Sequence, residues 1–402
     1  MCRELCKSHN YTLFKNISKI MKILLSGVET NNKGAELMLY AILQEIEKKY
    51  PKAEVFIPKD NIKQGLSYVK TSLKLQYCNY RFIDQLFRKL HINGILWRLH
   101  LPQITPRLLV PQGVEYFIDG SGFTFSDQWN LSNSKVNYWY LLLEKLYSRG
   151  CKIIFLPQAF GPAELPNTKK IFSILSKYAD VIMPREKVSL DYIKKSGVVD
   201  MKKVKMFTDF TSLVAGVFPE KLERLKNGIA IIPNLRMIDK GKISRDDYKV
   251  LLSSIVNLGK MTGHIVYLLN HEGKGDEQLA FELQNDLNDI EVVTGLNALE
   301  VKGLISSAYI VISSRFHGVA SALNCCVPCL ATSWSHKYKE LFADYGLYNS
   351  LLPLDDIESA VSMVNYHLSE HINKQIREKL LGEVIKIQAE TREMWEYIND
   401  YC

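Results

Sequence analysis

The chain has 402 residues, 47% apolar and 23% charged, an ordinary globular balance with room for two hydrophobic cores. No apolar run approaches the ~18 residues of a membrane span, and eight cysteines, with Cys325 and Cys326 adjacent, suit a reducing, cytoplasmic setting better than a disulfide scaffold. The formal net charge of +8 is concentrated between Lys59 and Arg107, where nine Lys/Arg stand against two Asp/Glu; the nearly balanced remainder argues against a nucleic-acid binder.

Residues 1–20 carry scattered cations but no continuous apolar segment with a small-residue cleavage site. They read as an N-terminal extension, with Met21 an alternative start. Strands are expected at Lys22–Ser26, Val55–Pro58, Glu115–Ile118, Lys152–Leu156, Val181–Met183 and Val204–Phe207. A helix over Ala35–Lys49 aligns Leu39, Ile42, Leu43 and Ile46 on one face. Within the basic stretch, Phe82, Ile83, Leu86, Phe87 and Leu90 share a helical face opposite Arg81, Arg88 and Lys89. That face either packs on the first sheet or makes a peripheral contact with an anionic membrane.

The second half repeats the alternation. Strands are expected at Ile229–Ile232, His264–Leu269, Glu291–Val293, Tyr309–Ser313 and Cys329–Thr332, with helices around Asp246–Thr262, Asp276–Leu287 and Ala298–Ser307. Short β-branched runs alternating with helices predict parallel sheets. The expected organisation is a Rossmann-like domain over 21–212, a linker over 213–228, a second Rossmann-like domain over 229–373 and a C-terminal helical segment over 374–402, with a helix at Lys374–Tyr397. The fold class is α/β, two parallel-sheet domains facing a cleft in the GT-B-like manner.

Four segments fall where strands end. Gly27–Glu36 joins a strand to a helix, where backbone amides favour anions, though it is neither a dinucleotide fingerprint nor a Walker loop. Gly120-Ser121-Gly122 lets backbone approach a ligand, or simply makes a tight turn. Arg185 follows the strand ending at Pro184; it can fork onto a carboxylate or phosphate, or form a surface salt bridge with Glu186 or Asp180. Ser314-Arg315-Phe316-His317-Gly318 is the sharpest. A guanidinium, an imidazole and a helix N-terminus converge there, which fits a packed core histidine poorly. Cys326-Val-Pro-Cys329 has redox spacing but follows a helix rather than starting one, and no further ligands complete a metal site. Asp276 reads as a helix cap.

The ordered set Asn32-Lys33-Gly34-Ala35-Glu36, Gly120-Ser121-Gly122, Gln158-Ala159-Phe160-Gly161-Pro162, Arg185-Glu186 with Ser189, Thr208-Asp209 and Ser314 to Gly318 resembles the polysaccharide pyruvyl transferase family. The first loop departs from the commoner family form, since Ala35 rather than an acidic residue directly follows the glycine. The resemblance implies transfer of pyruvate from phosphoenolpyruvate onto hydroxyls of a saccharide or lipid-linked saccharide, commonly as a cyclic ketal, without a cofactor or metal. It implies His317 as the catalytic histidine and Arg185 and Arg315 as the donor's anchors. Phe316, Gly34 and Gly122 complete the expected substrate contacts. Glu36, Asp119 and Asp209 are candidate bases. The alternatives are a nucleotide-sugar glycosyltransferase, with Glu272 or Glu277 for the ribose, and a non-catalytic sugar- or anion-binding protein.

Overall fold

Strands buried on both faces are largely apolar, and six of the strands below are buried at every residue. The computed structural model describes residues 20–78, 110–241, 243–287, 290–333, 335 and 337–400. The basic helix expected at 81–90, and residues 1–19 of the expected extension, lie outside the described residues. The first sheet comprises β1 (Lys22–Ser26), β2 (Glu54–Pro58), β3 (Lys74–Cys78), β4 (Tyr116–Asp119), β5 (Lys152–Gln158) and β6 (Val181–Pro184). Its order is β3-β2-β1-β4-β5-β6, with every pairing parallel. Among its helices are α1 (Lys33–Lys49), α2 (Asn133–Tyr147), α3 (Pro166–Tyr178) and α4 (Lys187–Ser196).

The second sheet comprises β7 (Ile229–Ile232), β8 (Val266–Leu269), β9 (Glu291–Val293), β10 (Ile310–Ser313) and β11 (Cys329–Ala331), in the parallel order β11-β10-β7-β8-β9. Its helices are α5 (Arg236–Asp239), α6 (Arg245–Met261), α7 (Gly273–Leu287), α8 (Ala298–Ser306), α9 (Phe316–Asn324), α10 (Lys337–Asp344) and α11 (Ile357–Leu368). A final helix, α12 (Glu370–Asp400), serves both halves. Leu380, Val384 and Ile387 join the core under the second sheet, whereas Met394, Trp395 and Ile398 join the core under the first. The two parallel-sheet domains are those expected.

Several local expectations need correction. Val204–Phe207 is not a full strand: it makes one bridge, Val204 to Ile182, and its Lys205 and Phe207 amides donate to the Ile182 and Pro184 carbonyls, while Met206 is turned to solvent. The edge strand β3 was not expected, because its residues are mostly polar or half-exposed and lie within the basic stretch. Helix α7 starts at Gly273, so Asp276 sits inside its first turn and is not the cap. Helix α9 starts at Phe316, which places His317 in its first turn.

Where the chain passes between domains, two backbones touch. A Cβ on Gly303 in α8 would stand 2.2 Å from the Val217 carbonyl oxygen and 2.6 Å from the Phe218 nitrogen. Both atoms are backbone, so nothing flexible can yield. Helix propensity alone would favour alanine by about 1 kcal/mol. We expect Gly303→Ala instead to destabilise by about 1–3 kcal/mol, measured by denaturant unfolding; an unchanged or raised midpoint would show that these backbones are not in contact.

Candidate active site

In doubly wound sheets ligands bind beyond the strand C-termini, where the strand order reverses. The first sheet reverses between β1 and β4, and the second between β7 and β10. The two reversal points share a cleft. One wall contains Gly27, Glu29, Asn32, Ala35, Ser121, Gly122, Phe123 and Arg185; the other contains Asn234, Arg236, His271, Glu272, Arg315, Phe316 and His317. Its volume of about 330 Å³ lies at the small end of the range for small-molecule sites.

The walls meet at three points. Asn32 caps α1, accepting from the Gly34 and Ala35 amides at 2.8 and 3.3 Å, and its side chain donates to Glu272 at 2.9 Å. The Lys33 amide donates to the His271 carbonyl at 3.1 Å. Gly34 lies against the His317 ring, where an added Cβ would fall 2.2 Å from Nδ1. Gly34 is thus required for the close approach of the imidazole, not for a turn.

Asp209 is the centre of the site. Its Oδ2 is 3.4 Å from His317 Nε2 and 3.5 Å from Arg185 Nη1. Burial alone would raise this carboxyl, but His317 and Arg185 outweigh it and hold the group well below the ordinary carboxylate range. Asp209 is therefore ionised at neutral pH. The approach is close but makes no hydrogen bond, so these groups are aimed at one another without being saturated. Arg185 is buried, pairs with Glu186 at 3.6 Å, and lays its guanidinium over the Phe316 ring at 4.0 Å from the centroid. The surface salt bridge weighed for Arg185 is thus half right: Glu186 is a partner, but the arginine is not at the surface. Ser189 fixes this corner. It accepts from the Phe160 amide at 2.7 Å and donates to Glu186, tying the loop after β5 to the start of α4.

Arg315 is held differently. Its Nε donates to Asp276 at 2.7 Å, Nη2 lies 2.6 Å from the same oxygen, and Nη1 donates to Glu272. Asp276 also accepts from the Leu235 amide at 3.0 Å, which is why it is not free to cap α7. The loop beneath is braced by Ser314, whose carbonyl accepts from Asn234 and Tyr338, each at 2.7 Å. His271, buried in the second wall, is pushed well below its usual range by burial, then by Arg315, His317 and Lys33, and stands as a neutral ring.

Lys337, at the start of α10, was not foreseen. Its ammonium sits 5.5 Å from the Phe123 ring centre and 5.6 Å from that of Phe316, so it spans the cleft. Burial comes first, then Arg185 and Arg315 against the opposing pull of Glu186; together they bring it down to about 7. No sequence signal marks it, since Lys337 follows the 315–317 segment at a distance and no glycine flanks it. Of the expected site residues, Arg185, Arg315, Phe316, His317 and Gly122 line one cleft, and Gly34 backs it. The candidate bases separate. Glu36 is taken by Lys33 at 2.7 Å, and the fully buried Asp119 accepts from the Ser121 amide at 3.1 Å and the Gln158 side chain at 3.2 Å. Asp209 stands behind His317.

No curated protein matches the sequence. Among solved structures, the fold is similar to that of Anabaena HepE in complex with UDP and glucose, at 10% identity over 94% of this chain and 99% of that one, TM-score 0.60. It is similar to UDP-GlcNAc 2-epimerase of Neisseria meningitidis bound to UDP-GlcNAc, at 10% identity over 94% and 100%, TM-score 0.57. It is also similar to WaaG, a glycosyltransferase involved in lipopolysaccharide biosynthesis, at 10% identity over 94% and 99%, TM-score 0.52. These likenesses show the GT-B arrangement and no more. The sequence itself matches the family model for polysaccharide pyruvyl transferase over residues 32–336. That span runs from the cap of α1 to just short of α10 and takes in Asp209, Arg185, Arg315 and His317; the chain belongs to the polysaccharide pyruvyl transferase family.

Proposed function

We propose that the cleft transfers the pyruvyl group of phosphoenolpyruvate to two hydroxyls of a saccharide or lipid-linked saccharide, closing a cyclic ketal. The observation that carries this reading is the grouping of Arg185, Arg315 and Lys337 around one small cavity with a carboxylate-backed histidine. Phosphoenolpyruvate packs a carboxylate and a phosphate on three carbons, which calls for clustered cations. A ribose-binding carboxylate, which a nucleotide-sugar enzyme would need, is less well served: Glu272 is shared by Arg315 and Asn32. We place the reaction in the cytoplasm, where the donor is made.

The chemistry balances as follows. One acceptor hydroxyl adds to C2 as C3 takes up a proton, so the double bond becomes a methyl group and a tetrahedral centre. The C2–O bond to phosphate then breaks, and the phosphate leaves with its electron pair. The second hydroxyl adds to the resulting oxocarbenium carbon. Of the two hydroxyl protons, one is replaced at C3 and the other leaves with phosphate. His317 is the acid that supplies a proton, and Asp209 stabilises the imidazolium when it forms. Arg185 and Lys337 neutralise the departing phosphate. Glu29 lines the cleft, and burial, partly offset by Lys63, raises its carboxyl, which suits an acceptor of the hydroxyl proton.

Three outcomes test this reading. Arg185→Ala should weaken phosphoenolpyruvate binding about ten- to a hundred-fold, since a charge-assisted bond is worth ~1.5–3 kcal/mol. Arg315→Ala should cost less, because Arg315 is already committed to two carboxylates; calorimetry that ranks the two in the opposite order rejects the assignment. His317→Gln should leave donor affinity within a few-fold and lower turnover by ~10²–10⁴; near-normal turnover with a raised KM would make His317 a binding residue only. Lys337 is largely deprotonated at mildly alkaline pH and should gain a proton when the trianionic donor arrives. Calorimetry in buffers of different ionisation enthalpy should therefore show proton uptake, lost in Lys337→Met; no uptake in the native enzyme would remove Lys337 from the donor site.

A further inference from the structure

Beside the donor cleft lies a second hollow of about 380 Å³, lined by Phe123, Thr124, Trp129, Asn130, Leu131, Ser132 and Lys135. Phe123, Thr124 and Trp129 belong to both. Trp129 forms the ridge between them and is 38% exposed. Its surroundings hold it rigid. The indole Nε1 donates to the Phe123 carbonyl at 3.0 Å, and the Phe123 ring meets it edge-on at 5.7 Å. The short turn carrying it is anchored from below. Asp127 accepts from the Glu164 and Leu165 amides at 2.7 and 3.1 Å, its own amide donates to the Pro162 carbonyl at 3.0 Å, and Asn167 donates to the Leu131 carbonyl at 2.8 Å. Asn130, just beyond the ring, takes the left-handed conformation that ends the turn and opens the hollow.

The geometry points to this hollow as the acceptor subsite: a pyranose lies with its C–H face on the Trp129 ring, its hydroxyls reaching the donor cleft past Phe123, and the next sugar unit runs over Ser132 and Lys135. The electron-rich face of an indole attracts the slightly positive C–H groups of a sugar face. A ring already immobilised loses little entropy on binding. Polar groups at the rim of an apolar floor then fix orientation. Phe123 is the shared wall, with Lys337 of the donor site over its ring. Identification of the occupant as an acceptor rests on the pyruvyl-transfer reading; the stacking itself does not.

Direct binding separates the two. Native protein, Trp129→Ala and Trp129→Phe are applied without donor to an array of mono-, di- and oligosaccharides, and phosphoenolpyruvate binding is measured in parallel by calorimetry. Trp129→Ala should lose at least about ten-fold in affinity for every saccharide that the native chain retains, equivalent to ~1.4 kcal/mol. Trp129→Phe should stay within a few-fold, and donor affinity should be unchanged in both. Lys135→Ala should weaken disaccharides and longer chains but not monosaccharides. A native chain that retains no saccharide, or a Trp129→Ala variant that binds as well as native, overturns the subsite. Trp129-dependent saccharide binding without pyruvyl transfer to any bound sugar would uphold the subsite and overturn the proposed reaction alone.

Discussion

One buried carboxylate ties the two halves together. Asp209 belongs to the first domain, yet one of the two basic groups it faces, His317, is contributed by the second. Leaving a buried charge without its partner typically costs 3–5 kcal/mol, so the pairing constrains everything nearby. It fixes His317 in the first turn of α9, and that helix must therefore begin at Phe316. It demands that α1 present a bare backbone where the imidazole arrives, which is the place of Gly34. The same pairing holds Arg185 over Phe316, so the aromatic ring between the two basic residues is a spacer as well as a wall.

Charge in the cleft is layered. Nearest the cavity stand Arg185, Arg236, Arg315 and Lys337 with two imidazoles, and Glu29 and Glu272 among them. Behind them stand Glu186, Asp209 and Asp276. Bare cations packed this closely would be expensive to bury. The carboxylate layer makes the empty site tolerable, and an incoming anion competes with it rather than meeting raw positive charge. Arg315 is hydrogen-bonded to its carboxylates and Arg185 only approaches its own, so the two arginines are not equivalent although both stand at strand ends.

How much of this was legible follows from where each signal resides. Central parallel strands must be apolar on both faces, and β1, β5, β7 and β10 could be read from that rule alone. Edge segments obey no such rule, which explains both the missed β3 and the overread 204–207 stretch. Arg185, Arg315 and His317 were visible because a charged residue directly after an apolar strand lies at the sheet's functional edge. Asp209 was visible as a candidate but not in its role, because which nitrogen it faces is decided by the docking of two domains. Lys337 and Trp129 were invisible for a related reason. The lysine's depressed basicity arises from neighbours more than a hundred residues away in one case, and the tryptophan stands out only because a distant loop pins the turn beneath it.

Helix α12 has a consequence for how the molecule is made. At ~1.5 Å per residue its 31 residues extend about 46 Å, from one core to the other. Met394, Trp395 and Ile398 join the core of the first domain, so that core lacks three of its members until the whole second domain has been translated. The second domain, by contrast, receives Leu380, Val384 and Ile387 soon after its last strand. Domains commonly mature in the order of their synthesis. Here α12 reverses that order: the half that is translated first must wait, with an open apolar face, for a helix that follows the second half in the chain, and a chain cut short before Met394 would have its second domain finished and its first one not.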